Sequence, residues 1–322
     1  MKIDAVITWV DGNDPAHRER MKAYGSKADF SRDDVAGSTR YASVGEIFWC
    51  VASINRFAPF VNKIYIITDG QDPRLDVFLD KNFPEGHIPV EIVDHRTVFR
   101  GYERFLPVFN SLAIESVMWR IPGLSEHFLY FNDDIMLAAP VTPGDFFTED
   151  GGIVCYADRY SVFFTDLTRA LKTIVHRGQR QVTFKGMLRN SVRAAGGGGY
   201  FLHYGHSPKA LLKSFFEDFF ASREDVLLGN IGHRFRSPDQ FCPEEVQILC
   251  LYRSGRCEVR SLGDRLFFFQ MKDRPGYPEK KLRALEKGNY VFCCFNSLDK
   301  TGGQVRERIV SWVCRRLDIE PA

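Results

Sequence analysis

The sequence predicts an α/β protein whose mostly parallel, Rossmann-like sheet is flanked by helices and carries a helical insertion. Short β-branched runs alternate with helical patterns through the first 135 residues, and strands joined by helical crossovers pair in parallel. The chain also has 322 residues, of which 44% are hydrophobic. This suffices for a large buried core and excludes a mainly disordered protein.

Four strands are predicted in this first part, each from an apolar run, over residues 3–10, 63–68, 90–93 and 128–131. Helices are predicted between them over residues 43–59, 73–80 and 110–122. Ser43 and Glu46 have the spacing of a capping box, which indicates that a helix begins there. Pro59 and Pro122 are expected to end the first and third helices.

Beyond residue 150 the pattern is weaker. Ser207 and Pro208 suit the start of a helix through residue 220, because serine caps helices and proline is tolerated in their first turn. The other predictions are a mostly helical stretch over 161–193, a glycine break at 196–199, helices over 243–252 and 304–317, and strands over 265–270 and 290–295. We find no internal repeat, and we expect a single domain.

Charge, hydropathy and cysteine spacing exclude several functions. The net charge of +2 gives no general support for nucleic-acid binding. No apolar run reaches the roughly 18–20 residues of a membrane-spanning helix, and the amino terminus lacks the form of a signal peptide, so we expect a cytoplasmic protein. The eight cysteines show no metal-binding spacing and are expected to be buried thiols.

All four predicted strands are followed by acidic residues, namely Asp11, Asp69, Asp94 and the adjacent Asp133 and Asp134, which come directly after Asn132. The carboxyl ends of parallel strands form one edge of a sheet, where ligands bind. Carboxylates gathered there repel one another unless a cation lies among them, as Mg²⁺ does beside substrate phosphates. Capping or an Asx turn is the alternative for Asp69 and Asp94. The adjacent triplet favours a metal site, because three oxygen-bearing side chains follow an apolar strand.

Two downstream segments carry histidine and arginine. His206 comes just before the helix predicted from residue 207, where a helix amino terminus attracts anions and can tune a histidine for proton transfer. A structural histidine is the alternative, and the spacing of His203 and His206 is weak evidence for zinc. Residues 233–239 include Arg234 and Arg236 before another predicted helix; arginine matches phosphate oxygens, although a surface charge cluster has the same composition.

Four blocks of the sequence form one larger pattern. The first is DAVITWVDGNDP at residues 4–15, and the second extends over about 40–147, with VNKIYIITD at 61–69, LPVFNS at 106–111 and GLSEHFLYFNDD at 123–134. A third block is matched more loosely by His206 and residues 236–239, and a fourth by YVFCCFN at 290–296. Together they resemble the Stealth family, the sugar-1-phosphate transferases of bacterial capsule synthesis, which are related to the lysosomal-enzyme N-acetylglucosamine-1-phosphotransferase of animals.

The resemblance implies a glycosyltransferase-A-like sheet within one catalytic domain. Residues 1–147 would be the nucleotide-sugar and metal half, 160–200 a basic helical insertion, and 200–322 would complete the active site. The expected donor is a UDP-hexose or UDP-N-acetylhexosamine. Its sugar-1-phosphate would pass to a hydroxyl of an anionic glycan or glycolipid in cell-surface polysaccharide synthesis, with release of UMP and no nucleic-acid partner.

The resemblance also implies roles for single residues. Asp133 and Asp134, together with Asp11, would hold Mg²⁺ or Mn²⁺, and Asn132 is a further candidate metal ligand. Arg236 would bind a phosphate, and His206 would accept the acceptor's proton or stabilise the transferring group. A carboxylate stays open as the alternative base. The residues expected to bind the nucleotide sugar are Trp9, Gly12, Asp69, Asn110, Ser111, Asp239 and Asn296.

The chain departs from the family pattern at two positions. Val108 occupies a position where threonine is usual, which is a minor change. Ser297 follows Asn296 where aspartate is usual, so a metal-holding or acceptor-orienting role of that acid is lost or passes to another residue. Asp299 is the candidate to replace it.

Two other functions stay open on the sequence. A metal-dependent glycosyltransferase would bind the diphosphate in the same way, but it would catalyse attack on the anomeric carbon and release UDP. A non-catalytic homologue would bind the UDP-sugar or a glycan without turnover, and Ser297 is the feature that favours it.

A basic stretch is the clearest charge asymmetry of the chain. Residues 167–216 contain no Asp or Glu but nine Lys or Arg, namely Arg169, Lys172, Arg177, Arg180, Lys185, Arg189, Arg193, Lys209 and Lys213. Apolar residues interleave with them at roughly helical spacing. We expect the stretch to contact the anionic acceptor. Peripheral contact with the inner face of the membrane, or a helical subdomain whose cations face water, are the alternatives.

Overall fold

The structure is a computed structural model that describes residues 1–26, 30, 44–164, 182–272 and 274–321. Two predictions fall partly outside these described residues. One is the capping box, because Ser43 is not described, and the other is the first part of the basic stretch, with Arg169, Lys172, Arg177 and Arg180.

A five-stranded sheet organises the molecule. The strands of the described chain are β1 (Ile3–Thr8), β2 (Val61–Thr68), β3 (Val90–Asp94), β4 (His127–Asn132), β5 (Ile135–Leu137), β6 (Ile153–Ser161), β7 (Tyr200–Tyr204), β8 (Lys209–Leu212), β9 (Cys257–Arg260), β10 (Leu266–Gln270) and β11 (Phe292–Asn296). The central sheet has the order β3-β2-β1-β4-β8. Its first four strands are parallel, and β8 lies antiparallel to β4. The prediction of an α/β fold with a mostly parallel sheet is therefore confirmed.

The register brings the carboxyl ends of the parallel strands to one edge. Thr8 pairs with Ile67 on one side and with Asn132 on the other, while Thr68 pairs with Asp94. Because β1 lies in the middle of the sheet, all six of its residues are buried. The segments that follow β1, β2 and β4 consequently meet at the same edge.

Helices cover both faces of this sheet. They are α1 (Pro15–Tyr24), α2 (Glu46–Phe57), α3 (Leu75–Asn82), α4 (His95–Val98), α5 (Ser111–Glu115), α6 (Phe184–Ala194), α7 (Lys213–Ala221), α8 (Glu224–Ile231), α9 (Pro243–Arg253), α10 (Tyr277–Lys287) and α11 (Gly303–Leu317). Side chains alternate along β1, so Ala5 and Ile7 join a core that contains Val51 of α2. Val6 joins a second core that contains Leu227 of α8. Within the described chain, no helix has the length and apolar character needed to cross a membrane.

Two small sheets complete the described fold, in the orders β10-β11-β5 and β7-β6-β9. In the first, β10 and β11 are parallel and β11 is antiparallel to β5. Since β5 follows β4 after two residues, this sheet lies directly beside Asp133 and Asp134. The end of β11 therefore reaches the carboxyl edge of the central sheet.

The predicted helix from Ser207 through residue 220 is wrong in its first part. Residues Lys209–Leu212 form β8, and α7 begins only at Lys213. All four β8 residues are buried where they pair with β4, with Ala210 opposite Leu129. Pairing with the sheet overrides the local capping signal. The prediction that His206 precedes a helix amino terminus is wrong for the same reason.

Other boundaries also differ from the predictions. The helix α2 begins at Glu46 with Gly45 as its N-cap, at φ 97°, where glycine is favoured, so Glu46 is the first helical residue. The helix predicted over 110–122 ends at Glu115 and is followed by a short 3-10 turn. The stretch predicted as helical over 161–193 includes the end of β6 and, after residues 165–181, helix α6.

Candidate active site

A cavity of about 570 Å³ opens at the carboxyl edge of the central sheet. Its walls come from the segments after β1 and β4, the start of α5 and several segments of the second half of the chain. Nine predicted residues line it, namely Trp9, Asn110, Ser111, Asn132, Asp133, Asp134, His206, Arg236 and Asn296. Its volume is in the range of small-molecule sites.

Three carboxylates gather on one wall of the cavity: Glu46, Asp133 and Asp134. Burial raises the pKa of Asp133 well above its usual range, and the charges of Asp134 and Glu46 raise it further. Burial also raises the pKa of Glu46, and this outweighs the hydrogen bond that its carboxylate accepts from the Val44 amide. This destabilisation of the ionised forms of Asp133 and Glu46 indicates an environment that a cation would stabilise.

Asp134 is held by strand β11. Its Oδ2 lies 3.3 Å from Cys294 Sγ and accepts a hydrogen bond from Asn296 Nδ2 at 3.2 Å. The amide of Phe295 donates to the Asp134 carbonyl at 3.0 Å. The other carboxylate oxygen, Oδ1, is shielded from solvent and has no hydrogen-bond partner in the described structure. A buried carboxylate oxygen without a partner fits a divalent cation, for which oxygen is the preferred ligand.

Asn132 is oriented from within the core. The Tyr130 hydroxyl donates to Asn132 Oδ1 at 2.7 Å, and it also lies 3.0 Å from Glu115 Oε1 and 3.0 Å from the Thr8 hydroxyl. Tyr130 is 1% exposed and Glu115 is 4% exposed. This buried network fixes the direction in which the Asn132 side chain enters the cavity.

His206 lies beside Asp134, in the loop between β7 and β8, with a ring nitrogen within 4.8 Å of that carboxylate. Its ring stacks on Phe268, with centroids 4.6 Å apart and an interplanar angle of 18°. Burial lowers the pKa of His206, while the nearby charge of Asp134 opposes that shift. A ring nitrogen of His206 therefore faces the carboxylate wall with a preference for the neutral imidazole.

Arg236 lies near the start of α5. Its Nη2 donates to Ser111 Oγ at 3.0 Å. The segment that carries it is fixed by Asn110, whose side-chain amide donates to the carbonyl oxygens of His233 and Phe235 and to Gln240 Oε1. The side-chain oxygen Oδ1 of Asn110 caps α5 by accepting a hydrogen bond from the Leu112 amide. The polar atoms of the Asn110 side chain are therefore used to hold the segment that carries Arg236. The segment does not directly precede a helix, since α9 begins at Pro243.

Asp69 does not line the cavity, because it is engaged with helix α1. Arg20 pairs with it at 3.0 Å and His17 at 3.5 Å. Burial by itself would raise the pKa of Asp69, but the His17 hydrogen bond and the charges of His95 and Arg20 outweigh it and lower the pKa to about 2. Asp94 takes the alternative role and caps α4, accepting from the Arg96 amide.

The other three predicted residues outside the cavity lie in turns. Asp11 Oδ1 accepts from the Asn13 amide, and the Gly12 carbonyl accepts from the Arg18 side chain. Asp239 is exposed, and its amide is bonded to Ser237 Oγ at 3.3 Å.

Several cavity residues were not predicted from the sequence. Glu46 was expected only to cap a helix, and His17 and His95 attracted no functional prediction, although all three line the cavity. Burial lowers the pKa of His95 to about 4. Their signal in the sequence is their position: His95 directly follows a strand, and Glu46 opens the helix after the first block. The indole N–H of Trp9 is buried and has no acceptor in the described structure, so it is free to bind a ligand.

Ser297 lies on the cavity wall in the left-handed backbone conformation, at φ 59°. Its hydroxyl donates to Asn296 Oδ1 at 2.6 Å. Asp299 does not line the cavity, but it is close enough to Glu46 for its charge to raise the pKa of that carboxyl. One oxygen of Asp299 is buried and has no partner in the described structure. Asp299 thus lies near Glu46 but does not take the place of Ser297 on the cavity wall.

Comparison with known families gives two matches. Residues 40–155 match the model of Stealth protein conserved region 2, and residues 1–29 match the model of conserved region 1. The two matched segments contain β1 to β5 together with the adjacent Asp133 and Asp134.

The chain is also similar to curated polysaccharide phosphotransferases. It is 44% identical over 151 residues to the capsular polysaccharide phosphotransferase WcwK of Streptococcus pneumoniae, which covers 47% of this chain and 42% of that protein. It is 35% identical over 216 residues to the receptor polysaccharide phosphotransferase WefC of Streptococcus gordonii, and the match covers 66% of this chain and 60% of that protein. An exopolysaccharide phosphotransferase of Streptomyces coelicolor is 32% identical over 298 residues, and the match covers 90% of this chain and 46% of that protein. The match thus spans about half the length of these relatives.

Among solved structures, the chain is similar to the galactosyltransferase LgtC in complex with donor and acceptor sugar analogs. The TM-score is 0.47 at 11% identity, over 99% of this chain and 97% of that chain. Mouse xyloside xylosyltransferase 1 is similar with a TM-score of 0.43 at 10% identity, over 92% and 98%.

Proposed function

Since the chain belongs to the Stealth family, we propose that it transfers a sugar-1-phosphate from a UDP-sugar to a hydroxyl of an acceptor glycan and releases UMP. The names of its relatives support phosphotransfer in the synthesis of capsular or other cell-surface polysaccharide. The observation that carries the proposal is the single cavity that Asp133, Asp134, His206 and Arg236 line together.

The proposed reaction makes one bond and breaks one bond at phosphorus. The acceptor oxygen bonds to the phosphorus that carries the sugar, and the anhydride bond between the two phosphates breaks. UMP takes the electron pair of that bond, and the acceptor's proton passes to a base. The bond between the sugar and its phosphate oxygen stays intact, so the anomeric configuration of the donor is retained. Such a reaction depends on alignment and charge neutralisation more than on covalent help from the protein.

Asp133 and Asp134 would hold Mg²⁺ or Mn²⁺, with Asn132 as a third oxygen ligand. The carboxylates are adjacent, burial and the charge of Asp134 raise the pKa of Asp133, and one shielded oxygen of Asp134 has no partner in the described structure. The ion would neutralise charge on the diphosphate and make UMP a better leaving group. Glu46 lies beside these residues and would orient them.

Arg236 would bind a phosphate of the donor. Among the described residues, no carboxylate lies within ion-pair distance of its guanidinium, which is held by the neutral Ser111 hydroxyl. A cation that borders a cavity without an acidic partner is suited to an anionic ligand. The Trp9 indole N–H would serve the same donor as a hydrogen-bond donor.

His206 would accept the proton of the acceptor hydroxyl. The neutral imidazole that burial favours can accept a proton, and the adjacent carboxylate of Asp134 would stabilise the imidazolium that forms. Stacking on Phe268 fixes the plane of the ring. Asp11, Gly12, Asp69 and Asp239 have no part in this proposal, because they do not line the cavity.

The acceptor would approach along the start of α6, where Phe184 lines the cavity and Lys185 is exposed. These residues belong to the basic stretch, whose charge suits a phosphodiester glycan. Two of its predicted members do not contribute to such a surface: Lys209 is 8% exposed, and Lys213 pairs with Glu217 at 3.5 Å.

The experiment that tests the proposal is a nucleotide-release screen across UDP-sugars with Mg²⁺ and oligosaccharide primers. UMP that appears only with donor, acceptor and metal together supports sugar-1-phosphate transfer. Release of UDP instead would identify a glycosyltransferase and contradict the proposal. Binding of a UDP-sugar without turnover with any acceptor would favour a non-catalytic homologue.

A further inference from the structure

A nitrogen, a sulfur and an oxygen ligand converge beside the proposed magnesium site. One atom each of the Asp134 carboxylate, the His206 imidazole and the Cys294 thiol lie within 4.8 Å of one another. Cysteine spacing alone predicts only a buried thiol at Cys294, and its neighbour Cys293 has the same 0% exposure. The two cysteines differ in their surroundings, since the Cys294 thiol lies 3.3 Å from Asp134 Oδ2.

The register of the small sheet explains the convergence. Phe268 of β10 pairs with Cys294 of β11, so their side chains lie on the same face. His206 stacks on Phe268, which brings its imidazole next to the Cys294 thiol. On the other side Cys294 pairs with Ile135, and the thiol therefore lies beside the preceding Asp134. Cys293 alternates with Cys294 along the strand and points to the opposite face.

An independent observation points to a ligand at this place. Asp134 Oδ1 is shielded from solvent and has no hydrogen-bond partner in the described structure. The Cys294 thiol and the Asn296 amide are both directed at the other oxygen, Oδ2, so they leave Oδ1 unsatisfied. A bound cation would satisfy it.

We propose that Asp134, His206 and Cys294 form an inhibitory site for Zn²⁺ and similar thiophilic divalent ions. Three ligands of oxygen, nitrogen and sulfur type with an open fourth position are typical of zinc, whereas Mg²⁺ takes oxygen ligands and leaves imidazole and thiol unbound. On binding, the metal–sulfur bond replaces the S–H bond of Cys294, and the proton goes to solvent.

The binding part of this inference is independent of the proposed function, but the inhibition rests on it. A zinc ion would occupy the imidazole nitrogen that is proposed to accept the acceptor's proton. It would also take the carboxylate that is proposed to hold magnesium. The enzyme would therefore be active with Mg²⁺ and inhibited by Zn²⁺ bound in the same cavity.

Binding is tested with Co²⁺ as a spectroscopic stand-in for zinc on the full chain. We expect a near-ultraviolet thiolate-to-cobalt charge-transfer band that Zn²⁺ abolishes by displacement. Cys294→Ala should remove the band and weaken cobalt binding by more than about tenfold, and Cys294→Ser gives the same test with the volume of the side chain kept. Cys293→Ala is the matched control and should keep the band. A missing band in the unmodified protein, or a band unchanged in folded Cys294→Ala, would overturn the inference.

The inhibition is tested by adding Zn²⁺ to the enzyme assayed with Mg²⁺. The unmodified protein and Cys293→Ala should lose activity at lower zinc concentration than Cys294→Ala, by about tenfold or more. Equal inhibition of all three would overturn the inhibitory role. A cobalt band that depends on Cys294 in a protein without any transferase activity would support the metal site and contradict the proposed function, so the two failures are distinguishable.

Discussion

Asp69 and Asp134 both follow parallel strands of the central sheet, but in the described structure only Asp69 forms ion pairs with cationic side chains. Asp69 is neutralised by Arg20 and His17, and its pKa falls to about 2. Asp133 and Asp134 have no cationic partner within ion-pair distance among the described residues, and the pKa of Asp133 rises. The charge of Asp69 is therefore balanced within the protein, whereas Asp133 and Asp134 need a bound cation to balance theirs.

The first prediction follows from this contrast. Asp133→Asn and Asp134→Asn should each abolish metal-dependent transfer, because an amide removes the charge that holds the ion but keeps the shape of the side chain. The unfolding temperature should change little, which thermal denaturation would check. The exposed Asp225→Asn on α8 is the control and should be fully active. Near-normal activity of both variants, or activity that persists in EDTA, would refute the metal assignment.

The second prediction concerns His206. His206→Ala should lower kcat by about 10²–10⁴-fold with a small effect on the KM of the donor, because a proton acceptor acts in the transition state. Steady-state kinetics with saturating acceptor measure this. His203→Ala, at a histidine of β7 that does not line the cavity, should retain most of the activity. If His206→Ala raised only the donor KM, the residue would be reassigned to donor binding.

The sequence identified the residues that are adjacent in the chain better than those that the fold brings together. Asn132, Asp133 and Asp134 were predicted because three oxygen-bearing side chains follow one apolar strand. Glu46 was missed as a member of the same wall, because its local spacing fits a capping role and only the fold brings it to the strand end. The role of Cys294 depends on pairing between three strands, which no local pattern contains.

At the scale of elements, ionic contacts hold helix α1 against the end of β2. Arg20 and His17 extend from α1 to Asp69, which follows β2. His95, at the start of α4, is close enough to Asp69 for its protonated form to lower the pKa of that carboxyl, while burial lowers the pKa of His95 itself to about 4. The cluster therefore joins three elements at the cavity, which His17 and His95 line but Asp69 does not.

The third prediction is the pH dependence of this link. The pKa of Asp69 falls from 3.8 to about 2 on folding, which corresponds to about 2 kcal/mol of stability. A lowered carboxyl pKa gives stability that is present above pH 3.8 and is lost as pH falls through 2. Asp69→Asn should therefore lower the free energy of unfolding at pH 7, and the difference from the unmodified protein should shrink between pH 4 and 2.

Urea denaturation at several pH values measures this difference. The exposed Asp76→Asn on α3 is the control and should show a much smaller effect at pH 7. A difference for Asp69→Asn that is constant over the acid range would contradict the charge-based link.

Element prediction failed where tertiary pairing decides the outcome. The signals for a helix at Ser207 and Pro208 are local, but the apolar Ala210, Leu211 and Leu212 gain more from pairing with β4. Strand β5 has three residues and β9 has four, which is too short for periodicity to detect. The long parallel strands were predicted correctly because β-branched runs fit strands that are buried on both faces.

The fourth prediction concerns the basic stretch before and within the start of α6. Neutralising Arg177, Arg180 and Lys185 together should raise the KM of an anionic acceptor and flatten its salt dependence, with the donor KM unchanged. Arg177 and Arg180 lie outside the described residues, and the half-buried Arg189 is left intact. Neutralising Lys280, Arg283 and Lys287 on α10 changes the net charge equally and should have little effect.

The outcome also distinguishes an acceptor surface from a membrane surface. Unchanged acceptor kinetics together with weaker binding to anionic vesicles would assign the stretch to the membrane and contradict the acceptor assignment.

At the scale of the whole molecule, the cavity combines residues that are far apart in sequence. Asp133 and Asp134 follow β4, His206 precedes β8, and Arg236 lies before α9. The α/β class was predictable because it depends on repeated strand–helix alternation, which the sequence contains. The positions of the two small sheets were not, because they depend on pairing between distant short strands.

The central claim is that the sugar and its phosphate move together to the acceptor. A UDP-sugar labelled with ³²P at the phosphorus attached to the sugar tests this claim directly, since that atom separates the two reactions. The account predicts that the label appears in the glycan product while unlabelled UMP is released, in amounts equal to the acceptor consumed. Label recovered in UDP, with none in the glycan, would contradict it.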